Sequence, residues 1–512
     1  DGMVVSDSRL ASQAGAALLE AGGNAVDAAV ATAFALAVTY PWAGNLAGGG
    51  FAVVHTAGGM TTSLDFRETA PAAARPDMFL DARGEVIPDL SLQSHLAAGV
   101  PGSVEGLLTL WEEHGSGRVA RADLLAPAIR LAREGFAIDQ DLAERLNRKR
   151  ARLSEDPAAA AIFLRADGRP WHPGDLLRQE DLACTLERIA EGGRDGFYAG
   201  ETADRIAAEM RAGGGIITLA DLAGYRALRR EPVRGTFRGC EVLGMGPPSS
   251  GGVFVAQILN MLENRPLEKL GWGSADYIHL VAEAERRAFA ARSRHLGDPD
   301  FWTVPLAMLL DKGYAAARMR DFTPDRATPS AVIQPGRETR EPIETTHLCA
   351  ADAAGTVVSL TPTLNAGFGS CLVVDGTGVL LNNEMDDFAV KPGVPNLYGL
   401  VGDSANAVAP GKRMLSSMSP TILLRDGKPI LALGAAGGSR IITSVVQVIL
   451  NRLVFGMPVA DAVAAPRFHH QWLPDELWVE PMALAPEVSA RLRARGHAVQ
   501  LRAAEPLANV NA

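Results

Sequence analysis

The chain has 512 residues, and its 49 lysines and arginines against 59 aspartates and glutamates give a formal charge of −10. Hydrophobic residues make up 47% of the chain and the mean hydropathy is +0.06, a composition that is typical of a globular protein and excludes intrinsic disorder. The negative balance disfavours a nucleic-acid binder, and four cysteines without a C-x-x-C pair exclude a disulfide framework and a cysteine-rich zinc site.

Two helices are predicted first along the chain. The apolar spacing of residues 8–20 predicts a helix that stops at Gly22-Gly23, and Asn24 is a suitable N-cap for a strongly apolar helix over 25–40. The apolar run within that second helix is shorter than the roughly 20 residues that a membrane span needs. We therefore expect a buried helix there and no membrane span.

A glycine-rich stretch and a hairpin come next. Residues 44–50 read GNLAGGG and lead into strand-like runs at 51–56 and 61–66, which Gly58-Gly59 joins as a β-hairpin. Arg67 follows the second run directly.

The middle of the chain is predicted to be mostly helical from about Pro76 to Pro232, with another long helix over 274–292. The sequence GPPSSGG at 246–252 precedes an apolar helix over 253–262. It has neither the spacing nor the lysine of a phosphate-binding loop, so we reject that interpretation.

The composition changes after residues 324–342, a polar stretch with four prolines that we expect to be exposed and poorly ordered. Beyond it, strand-like runs dominate and a helix is predicted over 441–453. Strands followed by a helix in this order predict a layered α+β domain.

Several kinds of active site are excluded by missing motifs. The sequence has no G-x-S-x-G elbow, no H-E-x-x-H and no G-x-G-x-x-G between a strand and a helix. The adjacent His469 and His470 cannot converge on one face of a regular element, so we interpret them as structural. We expect no metal and no cofactor.

One segment remains open to two interpretations. Thr345 and Thr346 stand where the polar stretch meets a predicted strand. They are either an ordinary threonine-rich strand start, or Thr345 is a nucleophile whose own α-amino group takes its hydroxyl proton. The second interpretation requires the Glu344–Thr345 bond to be cut.

The sequence resembles the gamma-glutamyltransferase family of N-terminal nucleophile hydrolases, and the resemblance extends over nearly the whole chain. It is carried by ten segments in order: GGNAVDAAVA, GNLAGGGF, LDFRE, ETTH, TLNAGFG, LLNNEMDDF, PGVPNLYGL, KRMLSSMSPT, GGSRIITSV and APRFHHQWLPDE. It implies a four-layer αββα fold with a helix-rich portion.

The resemblance implies that Thr345 is the nucleophile and that the chain cleaves itself after Glu344. Residues 1–344 would form a large subunit ending in an exposed linker at about 324–344, and residues 345–512 a sheet-rich small subunit. Thr363 matches the threonine that supports the nucleophile, although a threonine facing outward from a strand is the alternative for that position.

The resemblance also implies recognition of a γ-glutamyl head group. Arg67 matches the arginine that binds the α-carboxylate, and Ser416 and Ser417 match two hydroxyl donors. Asn365, Glu384 and Asp387 match acceptors for the α-ammonium group. Read alone, Arg67 and the acidic turn would be solvated surface charges.

The remaining implied positions concern the oxyanion and a lid. Gly437 and Gly438 match the backbone donors of an oxyanion hole, and Tyr398 matches the aromatic residue of a lid loop. A plain strand-to-helix turn and a packed loop tyrosine are the respective alternatives.

Some positions depart from the family pattern. Ala47 replaces a frequent glycine and should be tolerated unless that position needs a positive φ. Ala435-Ala436 stand where Ser-Pro is frequent, and the residue at the position of Glu384 varies among members. The chain also ends at Ala512, short of the family's usual last strands.

Three hypotheses follow. The first is a self-processing enzyme that transfers the γ-glutamyl group of glutathione-like small molecules to water or to an amine. The second is an acylase of the same fold acting on glutaryl side chains, and the third is an unprocessed precursor or binding homologue. The resemblance implies a periplasmic or secreted protein. The chain opens at Asp1 without a basic segment, so we expect that any signal peptide has been removed or was never present.

Overall fold

The computed structural model describes residues 2–333, 345–391, 393–394, 396, 400, 404–502 and 506–512. The strands are β1 Met3–Ser6, β2 Gly49–His55, β3 Thr61–Asp65, β4 Phe136–Ala137, β5 Leu176–Leu177, β6 Leu228–Arg230, β7 Val233–Phe237, β8 Cys240–Gly244, β9 Leu348–Ala351, β10 Val357–Thr363, β11 Val373–Val374, β12 Val379–Leu380, β13 Thr421–Arg425, β14 Lys428–Ala436, β15 Phe468–His469, β16 Leu477–Val479, β17 Val499–Leu501 and β18 Asn509–Asn511.

The helices are α1 Arg9–Glu20, α2 Ala25–Thr39, α3 Leu90–Gln93, α4 Ser103–His114, α5 Arg121–Glu134, α6 Gln140–Leu153, α7 Pro157–Phe163, α8 Glu180–Gly192, α9 Asp195–Tyr198, α10 Gly200–Gly213, α11 Leu219–Gly224, α12 Gly251–Leu262, α13 Leu267–Leu270, α14 Ala275–His295, α15 Leu306–Leu310, α16 Lys312–Arg318, α17 Arg440–Leu453, α18 Val459–Ala464 and α19 Pro486–Ala494.

Two sheets form the centre of the molecule. One has the strand order β1-β9-β10-β2-β3-β6 and the other the order β18-β14-β13-β8-β7, with antiparallel pairing throughout both. They pack face to face through β10 against β14. Helices α2 and α4 cover the outer face of the first sheet, and α12 and α17 that of the second. The predicted four-layer αββα arrangement is thereby confirmed.

Helix α2 owes its position to its composition. All 15 of its residues are buried, in agreement with the apolar run in the sequence. It begins as predicted at Asn24, whose side-chain oxygen accepts from the amides of Val26 and Asp27, while Asp27 accepts from the amide of Asn24. This capping box satisfies donors that would otherwise be lost at the buried helix start.

The stretch at 324–333 was expected to be exposed, and most of its residues are, although three hydrogen bonds attach it to the rest of the protein. Arg286 donates to Ser330 Oγ at 3.0 Å, and Trp472 Nε1 donates to the carbonyl of Ser330 at 3.0 Å. The amide of Ala327 donates to the carbonyl of Arg495 at 2.7 Å. Ala327 and Ser330 are the buried residues of this stretch, and the hydrogen bonds lie at these two positions. Residues 334–344 lie outside the described part of the chain.

Among the described residues, no helix combines the length and the apolar character that crossing a membrane requires.

Replacing Asn24 by alanine should lower the free energy of unfolding by about 1–2 kcal/mol, because the cap and a 2.8 Å hydrogen bond from Asn24 Nδ2 to the carbonyl of His114 are both lost. Asn24→Asp keeps the cap acceptor, so its free energy of unfolding should lie between those of the parent and the alanine variant. Urea titration followed by far-ultraviolet circular dichroism measures both, and an alanine variant as resistant as the parent would contradict the assignment.

Candidate active site

The predicted site residues converge on one recess between the two sheets, with about 290 Å³ of unfilled space. Its lining residues are Arg292, Thr345, Thr363, Asn365, Glu384, Asp387, Leu400, Ser416, Ser417, Met418, Gly438 and Ile441. Eight of these twelve were singled out from the sequence. Glu344 and Tyr398, which were also predicted, lie outside the described residues.

Strand pairing places the two threonines. The amide of Thr346 donates to the carbonyl of Pro362, so Thr345 comes beside the end of β10, where Thr363 lies opposite Gly49 of β2. Thr363 Oγ1 accepts a hydrogen bond from the amide of Asn365 at 2.9 Å. Its own hydroxyl proton is therefore left for another acceptor.

The glycine-rich stretch at 44–50 contacts the backbone carbonyl of Thr363. Asn45 Nδ2 donates to the carbonyl of Thr363 at 2.8 Å. A Cβ atom at Gly48 would lie 2.0 Å from that carbonyl oxygen, so only glycine allows the approach. Ala47 does not adopt a positive φ, which explains why alanine is accepted there.

Arg67 is fully buried behind the recess and does not line it. Its guanidinium pairs with Glu384 and Asp387, lies 3.5 Å from Glu68, and donates from Nε to the carbonyl of Met414 at 3.2 Å. The predicted carboxylate-binding group and two predicted ammonium acceptors are thus direct neighbours. A surface interpretation of Arg67 is wrong, because the segments that surround it come from other parts of the chain.

The charges of this cluster do not balance if every carboxyl group is ionised, since one guanidinium faces three carboxylates. Burial raises the pKa of Glu68 well above its ordinary value, with the negative charge of Glu384 adding to the effect. Burial likewise raises the pKa of Glu384 to about 8, although Arg67 opposes the shift. Neither oxygen of Glu68 has a hydrogen-bond donor among the described residues, which fits the raised pKa of this carboxyl group.

The segment 382–387 was predicted as strand-like at its start and acidic at its end. Asn382 and Asn383 lie past the two-residue strand β12, and both side chains are committed to backbone groups. Asn382 Nδ2 bonds to the carbonyls of Ala47 and Gly99, and Asn383 Oδ1 accepts from the amide of Ala366. These asparagines fix the 3₁₀ turn that carries Glu384 and Asp387.

The segment 246–252, rejected above as a phosphate loop, positions the serine pair. Ser250 donates from its amide and from Oγ to the carbonyl of Ser416, at 2.8 and 2.7 Å. Ser249 Oγ donates to the carbonyl of Met418 at 2.7 Å. Sequence reasoning missed this role because the local pattern around Ser250 gives no information about a contact with a residue 166 positions away.

Gly437 and Gly438 stand between the end of β14 and the start of α17, as predicted. Their φ values of +150° and +57° favour glycine, and a Cβ atom at Gly437 would lie 2.8 Å from that of Ala508. Gly438 lines the recess, and the carbonyl of Gly437 accepts from Arg440 Nε at 3.1 Å. This bond points the carbonyl toward the helix, and the helix N-terminus adds a positive dipole near the recess.

Asp7 was missed by sequence reasoning. Its carboxylate accepts from Thr346 Oγ1 at 2.5 Å and from Asn511 Nδ2 at 2.9 Å, and Asn509 Nδ2 also donates to it. One side chain thus joins the first strand, the residue after Thr345 and the last strand. A single aspartate in an ordinary polar turn gives no signal of this in the sequence.

His347 is buried two residues after Thr345. Its Nδ1 lies 2.8 Å from Thr361 Oγ1 and its Nε2 3.2 Å from Cys349 Sγ. A Cβ atom at Gly434 would lie 2.3 Å from the imidazole ring, so the two sheets meet at this side chain. Burial lowers the pKa of His347 to about 3.

Two other histidine groups lie outside the recess. His469 bonds to Thr443 and Gln471, whereas His470 bonds to Asp475 and to the amide of Trp472. The two rings face different partners, in keeping with the structural interpretation.

His279, Glu283 and His497 also converge. His279 bonds to His497 and to the carbonyl of Thr323, each at 2.8 Å, and Glu283 pairs with Arg286 and Arg287. These bonds account for the ligating atoms of His279 and Glu283, so the cluster serves to hold residues 321–330.

Comparison with known proteins gives a consistent result. A family model described as gamma-glutamyltranspeptidase matches residues 11–512. The glutathione hydrolase proenzyme of Escherichia coli (strain K12) is 49% identical over 505 residues, which cover 98% of this chain and 86% of that protein. The crystal structure of Helicobacter pylori gamma-glutamyltranspeptidase is 46% identical with a TM-score of 0.64, covering 65% of this chain and 95% of that one. The structure of cephalosporin acylase from Bacillus halodurans is 30% identical with a TM-score of 0.86, covering 98% and 89%.

The buried, neutral His347 should make the protein sensitive to acid. An unfolded histidine takes up a proton below a pH of about 6.5, whereas the folded one resists protonation down to about 3. The unfolded state then binds more protons, so the contribution of this residue to stability falls as the pH falls through that window.

We expect the melting temperature of the His347→Gln variant to drop less between about pH 7 and about pH 5 than that of the parent. The exposed His172→Gln serves as the control and should follow the parent. Identical pH slopes for His347→Gln and the parent, measured by differential scanning fluorimetry, would refute the assignment.

Proposed function

The chain belongs to the gamma-glutamyltranspeptidase family, and on that basis we propose that it is a self-processing γ-glutamyltransferase and hydrolase that acts on glutathione and related γ-glutamyl compounds. The observation that carries the proposal is the convergence of Thr345 and Thr363 with cationic, hydroxyl and carboxylate groups on one recess. The glutathione hydrolase proenzyme of Escherichia coli shares its sequence over nearly the full chain.

Maturation begins with the Thr345 hydroxyl. Its oxygen attacks the carbonyl carbon of Glu344, the C–N bond to Thr345 breaks, and the chain is joined by an ester to Thr345 Oγ1. Water hydrolyses the ester, which leaves a carboxylate on Glu344 and a free α-amino group on Thr345. Thr363, whose carbonyl and Oγ1 accept from Asn45 and Asn365, is proposed to hydrogen bond to the reacting hydroxyl.

Turnover uses the same oxygen. The α-amino group of Thr345, with an ordinary pKa of about 7.7–8.0, accepts the hydroxyl proton as Oγ1 attacks the γ-carbonyl of the donor. The amides at Gly437 and Gly438 stabilise the tetrahedral oxyanion. Collapse expels the amine with that proton and leaves a γ-glutamyl ester, which water or an acceptor amine then cleaves.

The donor head group is recognised by opposite charges on two sides of the recess. Ser416 and Ser417, with Arg67 behind them, receive the α-carboxylate. Asn365, Glu384 and Asp387 receive the α-ammonium group. Asn365 Nδ2 donates to the carbonyl of Asn383 at 3.0 Å, which orients this amide in the lining of the recess.

A glutaryl acylase is the second candidate, and the similarity to the cephalosporin acylase structure favours it. A glutaryl group has no α-ammonium, so it leaves the acceptors Asn365, Glu384 and Asp387 without a partner. These acceptors, and the higher identity to glutathione hydrolase, favour the γ-glutamyl donor.

We further propose that residues 1–344 and 345–512 remain together as a heterodimer after cleavage, because β9 and β10 of the second part lie between β1 and β2 of the first. Tyr398 is proposed to belong to a lid over the recess. Family resemblance supports action in the periplasm or outside the cell.

Replacing Thr345 by alanine should abolish both self-cleavage and turnover of γ-glutamyl-4-nitroanilide, because both steps use the same oxygen. Thr345→Ser, which keeps a hydroxyl, is the control and should still mature. A denaturing gel with N-terminal sequencing of the smaller fragment reports cleavage, and 4-nitroaniline absorbance reports turnover. An alanine variant that processes itself or turns over substrate rules out Thr345 as the shared nucleophile. A parent protein that stays uncut and inactive would instead support the precursor hypothesis.

Replacing Asp387 by asparagine should lower kcat/KM for γ-glutamyl-4-nitroanilide about 10- to 100-fold more than for glutaryl-4-nitroanilide, because a charged hydrogen bond is lost only with the ammonium-bearing donor. Taking the ratio of the kcat/KM values for the two donors cancels any effect of the substitution on Arg67 that both donors share. Asp386→Asn, in the same turn but bonded to Ser91, is the matched control and should leave the ratio unchanged. An unchanged ratio in Asp387→Asn would mean that Asp387 does not receive the ammonium group.

A further inference from the structure

A second buried arginine, Arg292, lines the recess directly. It lies near the end of α14, is 4% exposed, and shares the lining with Ser416, Ser417 and Asp387. None of the motifs considered in the sequence includes it. Arg67, in contrast, is behind the recess and already faces three carboxylates.

The hydrogen bonds of Arg292 have only one possible direction, because a guanidinium donates and cannot accept. Its Nη2 donates to Ser417 Oγ at 3.1 Å, and its Nε donates to Ser250 Oγ at 2.9 Å. The Ser250 hydroxyl in turn donates a hydrogen bond to the carbonyl of Ser416 at 2.7 Å. The arginine is thus held in place by the same loop that holds the serine pair.

This arrangement sets the direction of the Ser417 hydroxyl. Since Ser417 Oγ accepts from Arg292, its single proton is available to an acceptor on another side. A serine that must donate suits a carboxylate and not an ammonium group. Beside it, the guanidinium brings positive charge to the recess, whose lining also includes the carboxylates of Glu384 and Asp387.

We propose that Arg292 is a positioning residue for the α-carboxylate of the donor: it fixes Ser417 as a hydrogen-bond donor and supplies the positive charge beside it. The inference rests on the proposed γ-glutamyl donor and adds a second cation to its recognition. It also explains how the carboxylate is attracted although Arg67 is surrounded by acidic groups.

Two donors separate this role from a merely structural one. γ-Glutamyl-4-nitroanilide carries both head-group charges, whereas 4-aminobutyryl-4-nitroanilide keeps the ammonium group and the scissile bond but lacks the α-carboxylate. Arg292→Gln should raise KM and lower kcat/KM about 10- to 100-fold for the first donor and change the second less than about 3-fold. Arg292→Lys, which keeps the charge, should recover part of the loss. Equal losses for both donors overturn the proposal.

A double-mutant cycle with Ser417→Ala tests the proposed path through the serine. If Arg292 acts by directing this hydroxyl, Arg292→Gln should lower kcat/KM less in the Ser417→Ala protein than in the parent. The two fold-losses should differ by a factor of at least about 5. If the fold-losses of Arg292→Gln and Ser417→Ala simply multiply in the double variant, Arg292 does not act through the Ser417 hydroxyl. The cycle uses γ-glutamyl-4-nitroanilide alone, so it is decisive even if 4-aminobutyryl-4-nitroanilide is turned over too slowly to measure.

Controls keep folding and function distinguishable. Arg287→Lys on the same helix is the matched control for Arg292→Lys, because Arg287 is also buried but pairs with Glu283 and Asp321 away from the recess. It should leave KM unchanged. If Arg292→Gln does not fold, Ser250→Ala removes the acceptor that orients Arg292 and should raise KM for the γ-glutamyl donor selectively. A parent protein inactive on γ-glutamyl-4-nitroanilide would refute the proposed function itself.

Discussion

The site depends on one constraint, the antiparallel pairing of β10 with β9 on one side and β2 on the other. The register sets Leu360 opposite both Leu348 and Ala52, and Thr363 opposite Gly49. Because β9 begins three residues after Thr345, this register decides where the nucleophile lies relative to Thr363. A slip of one residue would turn every side chain of β10 to the opposite face and take Thr363 out of the recess. The glycines of β2 and Asn45 protect this register by allowing a backbone approach that no side chain would permit.

The layers of the fold could be predicted from the sequence because their signal is local. The helix cap at Asn24, the apolar run of α2 and the strand-like runs of β13 and β14 each reflect nearby residues. The site could be predicted only through motifs, since Thr345 without a family resemblance is one more threonine at a strand start. The contributions of Asp7, Ser250 and Arg292 could not be predicted, because each acts on a residue more than 100 positions away through a single hydrogen bond.

In the proposed function, the buried charge cluster around Arg67 serves recognition and not stability. A guanidinium removed from water together with several carboxylates gains little over an apolar cluster of the same volume. What it provides is a set of acceptors fixed in position before a substrate arrives, because Asn382, Asn383 and the 3₁₀ turn hold Glu384 and Asp387 from the side away from the recess. Such preorganisation reduces the ordering that binding would otherwise require.

Self-cleavage of the chain requires that the new terminus stay in position after the bond is cut. In the proposed mechanism, the bond before Thr345 is cut without releasing the new terminus, since its amino group is the base for every later turnover. Thr346 is held on both sides, by Pro362 through its amide and by Asp7 through its hydroxyl. Asp7 is in turn bonded to Asn511 of the last strand, whose side chain also reaches the carbonyl of His347. Residues from both ends of the chain therefore fix the segment that follows the cut. The position of Thr345 is set by bonds that do not involve the peptide being broken, and for that reason the same geometry can serve first for maturation and then for catalysis.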